Sequence, residues 1–117
     1  MALGIVERDF GGVTVLELSG QITVGEESSQ LRFKTKAVME SGRTDLVIDF
    51  GRVGYIDSTG LGTILAVFTT AKSLGANIKL AALGKKFRDQ LHQTGLEKVF
   101  EIYAQVEGAV SSYHSST

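Results

Sequence analysis

Asp57, Ser58 and Thr59 stand consecutively in the run YIDSTGLGTIL, with glycine following at positions 60 and 62. Oxygen-bearing side chains directly ahead of an apolar series can do two kinds of chemistry. They can cap a helix, since each oxygen can accept from one of the four N–H groups that a helix start leaves unpaired, an effect of about 1 kcal/mol. They can also offer a polar contact to another molecule. Capping alone accounts poorly for the spacing, because one such residue suffices, and Gly60, Leu61 and Gly62 cannot return the reciprocal bond of a capping box. Two glycines in a first turn also weaken a helix by up to about 1 kcal/mol each relative to alanine. What glycine permits is close approach to the backbone, at an end where N–H groups and the positive dipole face outward. Thr59, Gly62, Thr63, Ala66, Thr69, Thr70 and Ser73 extend this as a row of small residues, and Lys72 is the only charge between Ser58 and Leu74. A small, uncharged strip marks a docking surface, unless another element of the same chain covers it.

Catalytic readings of the same residues fail on spacing. The third glycine of a dinucleotide fingerprint would fall at position 65, which is Leu65, and no phosphate-loop lysine follows. A hydrolase nucleophile at Ser58 needs glycine two residues earlier, where Ile56 stands. His92 and His114 read as surface and tail residues rather than triad members. Asp49, at a strand end, lacks the acidic pair of a phospho-accepting aspartate, since ELSGQ supplies none, and reads as an acceptor that fixes its loop. Lys85, Lys86 and Arg88 form a basic patch that Asp89 interrupts, a solvated face by default.

Composition narrows the classes further. The 117 residues are 43% hydrophobic, which suits one compact domain over residues 1–117. Twelve basic against thirteen acidic residues leave a formal charge of −1, so no basic stripe exists for nucleic acid. Without cysteine there is no disulfide or thiolate metal site, and the two histidines are too far apart for a helical ligand pair, so no metal or other cofactor is expected. Glu7, Arg8 and Asp9 interrupt any leader, and no stretch approaches the roughly 18 apolar residues of a membrane span; the expectation is a soluble cytoplasmic protein without membrane insertion.

The elements that must position residues 55–65 follow from periodicity. GIVERDFGGVTVLELSG predicts strands near 4–9 and 13–19 around a Gly11-Gly12 turn. Residues 26–41 have helical spacing and stop at Gly42. TDLVIDF, residues 44–50, is an apolar run suited to a strand covered on both faces. Leu61, Ile64, Leu65, Phe68, Ala71 and Leu74 predict a second helix ending at Gly75. NIKLAAL gives another strand, KKFRDQLHQTG a third helix and KVFEIYA a last strand, while residues 111–117 read as a frayed tail. A hairpin followed by alternating helices and strands predicts an α/β fold: a mixed, mostly parallel sheet of about five strands, with an antiparallel N-terminal edge hairpin and about four covering helices. In such sheets, sites sit beyond the carboxyl ends of the strands, where residues 51–62 fall.

The run DLVIDFGRVGYIDSTGLGTILAVFTTAKSLGANIKLAAL resembles the STAS domain, in particular the bacterial anti-sigma factor antagonists, over nearly the whole chain. The resemblance implies that Ser58, the hydroxyl directly after the aspartate, is phosphorylated by a cognate anti-sigma factor that is itself a serine kinase. It implies a non-catalytic protein-binding switch that captures this factor when unphosphorylated and thereby frees a sigma factor for transcription. Asp57, Ser58, Thr59, Gly60, Gly62, Thr63 and Ala66, with Thr23, would form the binding face. The kinase-regulated group reads Gly-Glu-Leu-Asp after its second strand, whereas GQIT here places Gln21 and Thr23 at the acidic positions, so a contact from Thr23 would be neutral. Two other readings stay open: a scaffold or transporter-regulating relative that assembles with itself or sister domains without phosphorylation, and a module holding a nucleotide or other anion at the helix N-terminus.

Overall fold

The computed structural model describes residues 3–23 and 25–114. Within it, β1 (Gly4–Phe10) and β2 (Val13–Ile22) form the hairpin, followed by α1 (Glu26–Glu40), β3 (Asp45–Ile56), α2 (Ser58–Ser73), β4 (Asn77–Ala81), α3 (Lys85–Gln93), a 3-10 turn at Leu96–Lys98, β5 (Glu101–Tyr103) and α4 (Val106–His114). The sheet order is β1-β2-β3-β4-β5, with β1 antiparallel to β2 and the remaining pairs parallel. The expected α/β architecture is the one observed. At the hairpin, Gly11 and Gly12 both hold positive φ, +60° and +91°, which a two-residue turn matching the strand twist requires.

Alternation along the central strands fills two cores. Leu16 and Leu18 of β2 and Leu46, Ile48 and Phe50 of β3 face one side, where α1, α2 and α3 add Leu31, Ile64, Val67, Phe87 and Leu91. Val13, Val15 and Val47 face the other side, where Ala109 of α4 covers them.

Three differences from the sequence expectations bear on function. First, β2 and β3 continue to Ile22 and Ile56, so residues 51–56 are strand rather than loop; the two strands stay paired beyond the end of β4, across register shifts between Glu17 and Ser19 and between Gly20 and Gln21. Second, β5 is confined to Glu101–Tyr103, because residues 96–98 wind into the 3-10 turn. Third, the frayed tail expected from residue 111 is corrected over residues 111–114, which complete α4; residues 115–117 lie outside the described residues.

Contacts across the sheet hold α4 in place. The Tyr113 hydroxyl donates to the Leu46 carbonyl oxygen at 2.8 Å, and the buried Lys79 ammonium donates to Ser112 Oγ at 2.6 Å while lying 4.0 Å from the centre of the Tyr113 ring. Burial, reinforced by the negative charge of Asp45, pushes the Tyr113 phenol well above its ordinary value. A raised folded-state value means that the stabilisation is complete below about pH 10, where the unfolded phenol is neutral, and drains away as pH climbs from there towards the folded value. Tyr113→Phe is expected to cost about 1 kcal/mol at neutral pH through the lost hydrogen bond, and to flatten the alkaline fall in stability. Urea unfolding at pH 7 and above pH 10 measures both.

Candidate functional site

The site is built where β2 and β3 end together. Their last ladder positions pair Gln21 with Tyr55 and Ile22 with Ile56, and the Asp57 N–H then donates to the Ile22 carbonyl oxygen at 3.2 Å. Asp57 is extended (φ −90°, ψ −178°), and its Oδ1 accepts from the Gly60 N–H at 2.7 Å, capping α2. One residue does the capping, and it is the aspartate. Ser58, at the first helical position, is exposed, and its hydroxyl has no hydrogen-bond partner among the described residues.

The two glycines serve different ends. A Cβ on Gly60 would lie 2.3 Å from the Ile22 carbonyl oxygen and 2.9 Å from Ile56 Cγ2, whereas a Cβ on Gly62 would meet nothing within 4 Å. Gly60 is therefore fixed by close packing of its own chain, which corrects its assignment to a surface open to other molecules. Gly62 is exposed, on the outward side.

Thr63 is corrected likewise. Buried residues on α2 fall at 60, 63, 64, 67 and 71, one stripe at helical spacing that faces the sheet and α1, and Thr63 is only 6% exposed with its hydroxyl donating to the Thr59 carbonyl oxygen at 3.0 Å. The outward strip consists instead of Ser58, Thr59, Gly62, Leu65 and Thr69, with Ala66 half-buried at its edge. Leu65, one of the apolar series whose spacing predicts α2, is 37% exposed and gives this strip an apolar centre.

Thr23 sits beside the junction, half-buried, and its hydroxyl donates to Glu27 Oε1 at 2.7 Å. A carboxylate thus stands next to Thr23 although the GQIT stretch contains none. Sequence reasoning missed Glu27; its place one helical turn beyond Thr23, in the first turn of α1, was the signal available. On its other side Ser58 opens, with Asp57, onto a groove of about 570 Å³ lined also by Tyr55, Lys86, Phe87 and Gln90. Tyr55, likewise missed, is half exposed there.

The remaining candidates are held elsewhere. His92 Nδ1 is paired with Glu97 Oε1 at 2.6 Å, and His114 Nε2 lies 3.1 Å from the Gly11 carbonyl oxygen, at the opposite end of β2 from the junction. Neither histidine is brought to Ser58. Asp49 Oδ1 accepts from the Gly51 N–H at 2.8 Å, the kind of backbone bond expected, but it does so within β3 rather than at a strand end, which corrects its assignment to fixing a loop.

Comparison with known proteins agrees with this geometry. The model of the STAS domain matches residues 5–109. The anti-sigma-B factor antagonist of Bacillus subtilis is 35% identical over 95 residues, 81% of this chain and 85% of the relative. Among solved structures, an anti-sigma factor antagonist from Mycobacterium paratuberculosis superposes with a TM-score of 0.80 at 26% identity, covering 95% of this chain and 93% of that one. Bacillus SpoIIAA in its phosphorylated form superposes with a TM-score of 0.73 at 20% identity over 94% and 99% of the two chains, a likeness of fold. With the matched model spanning both halves of the Asp57–Gly62 junction and a relative of this identity along most of its length, the chain belongs to the STAS domain family, among the anti-sigma factor antagonists.

Proposed function

We propose that the chain captures an anti-sigma factor with serine kinase activity through Ser58 and the outward strip of α2, and that phosphorylation of Ser58 releases it. Sigma-factor-dependent transcription is then controlled by whether one hydroxyl is free. The observation that carries this reading is Ser58 itself, exposed and unengaged beside an aspartate that already satisfies the helix start. A partner can pack on Thr59, Gly62 and Leu65 only while the neighbouring group is small and neutral. The domain acts by binding, in this reading, without catalysis of its own.

The relatives support the switch without assigning it. SpoIIAA is known in phosphorylated and unphosphorylated forms, and this chain superposes on them with TM-scores of 0.73 and 0.72. A fold common to both forms suits a switch that acts at the contact surface. Among the described residues no helix is long and apolar enough to cross a membrane, which suits a reaction with a kinase and ATP in the cytoplasm.

Incubation of the purified chain with the anti-sigma factor of its host and Mg-ATP is the direct test. Mass spectrometry is expected to find one phosphate, on Ser58, and none in Ser58→Ala. Phosphate at another residue would remove Ser58 as the switch, and stable capture with no phosphate transfer under any condition would remove the kinase from this account.

A further inference from the structure

The outer face of α1 carries side chains that the fold does not use. Phe33 is 80% exposed, so its ring packs on nothing that would recover its contact with water. Arg32 and Lys36 flank it four residues apart, a spacing at which like charges on a helix repel, and neither forms an ion pair among the described residues. Lys34, by contrast, is paired with Glu7 of β1 at 3.1 Å. Phe33, Arg32 and Lys36 form, with Met39, one wall of a groove of about 630 Å³ whose other wall is Val67 and Thr70 of α2. Among the described residues Glu40 is the only carboxylate on its lining, against two cations.

An exposed aromatic anchor beside Met39 and Val67, rimmed by two cations without ion pairs, is complementary to a segment with an apolar side flanked by carboxylates, and a cleft between two helices suits a third helix laid along it. We propose that the α1/α2 groove around Phe33 docks an acidic amphipathic helix of the anti-sigma factor, a second contact beyond the Ser58 junction. The inference rests on the proposed function. From Ser58 to Thr70 is twelve residues of helix, about 18 Å at 1.5 Å per residue, so a partner burying about 800 Å² on this side reaches both places. An acidic partner face also gives the switch its sign: the charges that Arg32 and Lys36 attract are those that a phosphate on Ser58 repels.

Titration of the purified anti-sigma factor with the native chain, Phe33→Ala, Arg32→Gln/Lys36→Gln and Ser58→Asp tests the groove separately from the switch. All four positions are exposed, and circular dichroism confirms that each variant folds. Phe33→Ala is expected to weaken binding by about tenfold or more, and the double glutamine variant to weaken it and flatten its dependence on salt. Native-like affinity of both groove variants, with Ser58→Asp defective, overturns the groove and leaves the switch standing. Loss with Phe33→Ala but an unchanged salt dependence in the double variant overturns the acidic helix. A native chain that pairs with itself, its mass halved by Phe33→Ala, assigns the groove to a second copy instead. Failure of the native chain to bind the anti-sigma factor overturns both readings.

Discussion

Gly60→Ala is expected to destabilise the chain by about 3 kcal/mol, at the upper end of overpacking costs, while Gly62→Ala, two residues further on, stabilises it by about 0.5–1 kcal/mol. The first methyl would sit 2.3 Å from the Ile22 carbonyl oxygen, a backbone atom held in the β2–β3 ladder and already accepting from the Asp57 N–H. Neither strand end can yield alone, so α2 must move off the sheet or the ladder must open. The second methyl enters solvent, where it only reduces the freedom of the unfolded chain. Urea titration of the two variants reads the difference directly. Binding reverses the order of interest: folded Gly62→Ala carries a methyl on the outward strip beside Ser58, and its capture of the anti-sigma factor is expected to fall even as its stability rises. Equal stability of the two variants would show that the junction is looser than its distances imply.

Phosphorylation at Ser58 is expected to weaken capture of the anti-sigma factor by at least a hundredfold, with little change in the fold. The phosphate adds about −1.5 to −2 charge one residue from Asp57, in a region that also holds Glu27 through its bond to Thr23. At a helix start such charge is favourable by about 0.3–1 kcal/mol, so the isolated domain tolerates it. Like charges forced together at an interface cost several kcal/mol, and a hundredfold corresponds to about 2.8 kcal/mol. Titration calorimetry on the phosphorylated and unphosphorylated chain measures the loss, and Ser58→Asp, with half the charge and no tetrahedral group, is expected to show a smaller one. An unchanged near-ultraviolet spectrum on phosphorylation accompanies this mechanism; collapse of that spectrum would assign the switch to refolding.

The amino-acid sequence by itself determined the element order from β1 to β5, because the periodicity of the strands and the helical spacing in residues 61–74 are set by local geometry, and the turns are marked by glycine in a chain without proline; α4 was left to the tertiary structure. It also located the junction, since the oxygen-bearing run precedes the apolar series it starts. Which members of the run face outward was decided only by the tertiary structure. The direction in which α2 lies on the sheet turns Thr63 inward and Leu65 outward, although apolar character predicts the reverse for the leucine. The role of Gly60 depends on Ile22, thirty-eight positions earlier, which reaches it only because β2 and β3 stay paired beyond β4. Glu27 reaches Thr23 because the chain turns into α1 immediately after the same strand end. The physical reason is common to all three: local periodicity fixes which residues share a face, but packing against distant segments fixes which face is left for a partner.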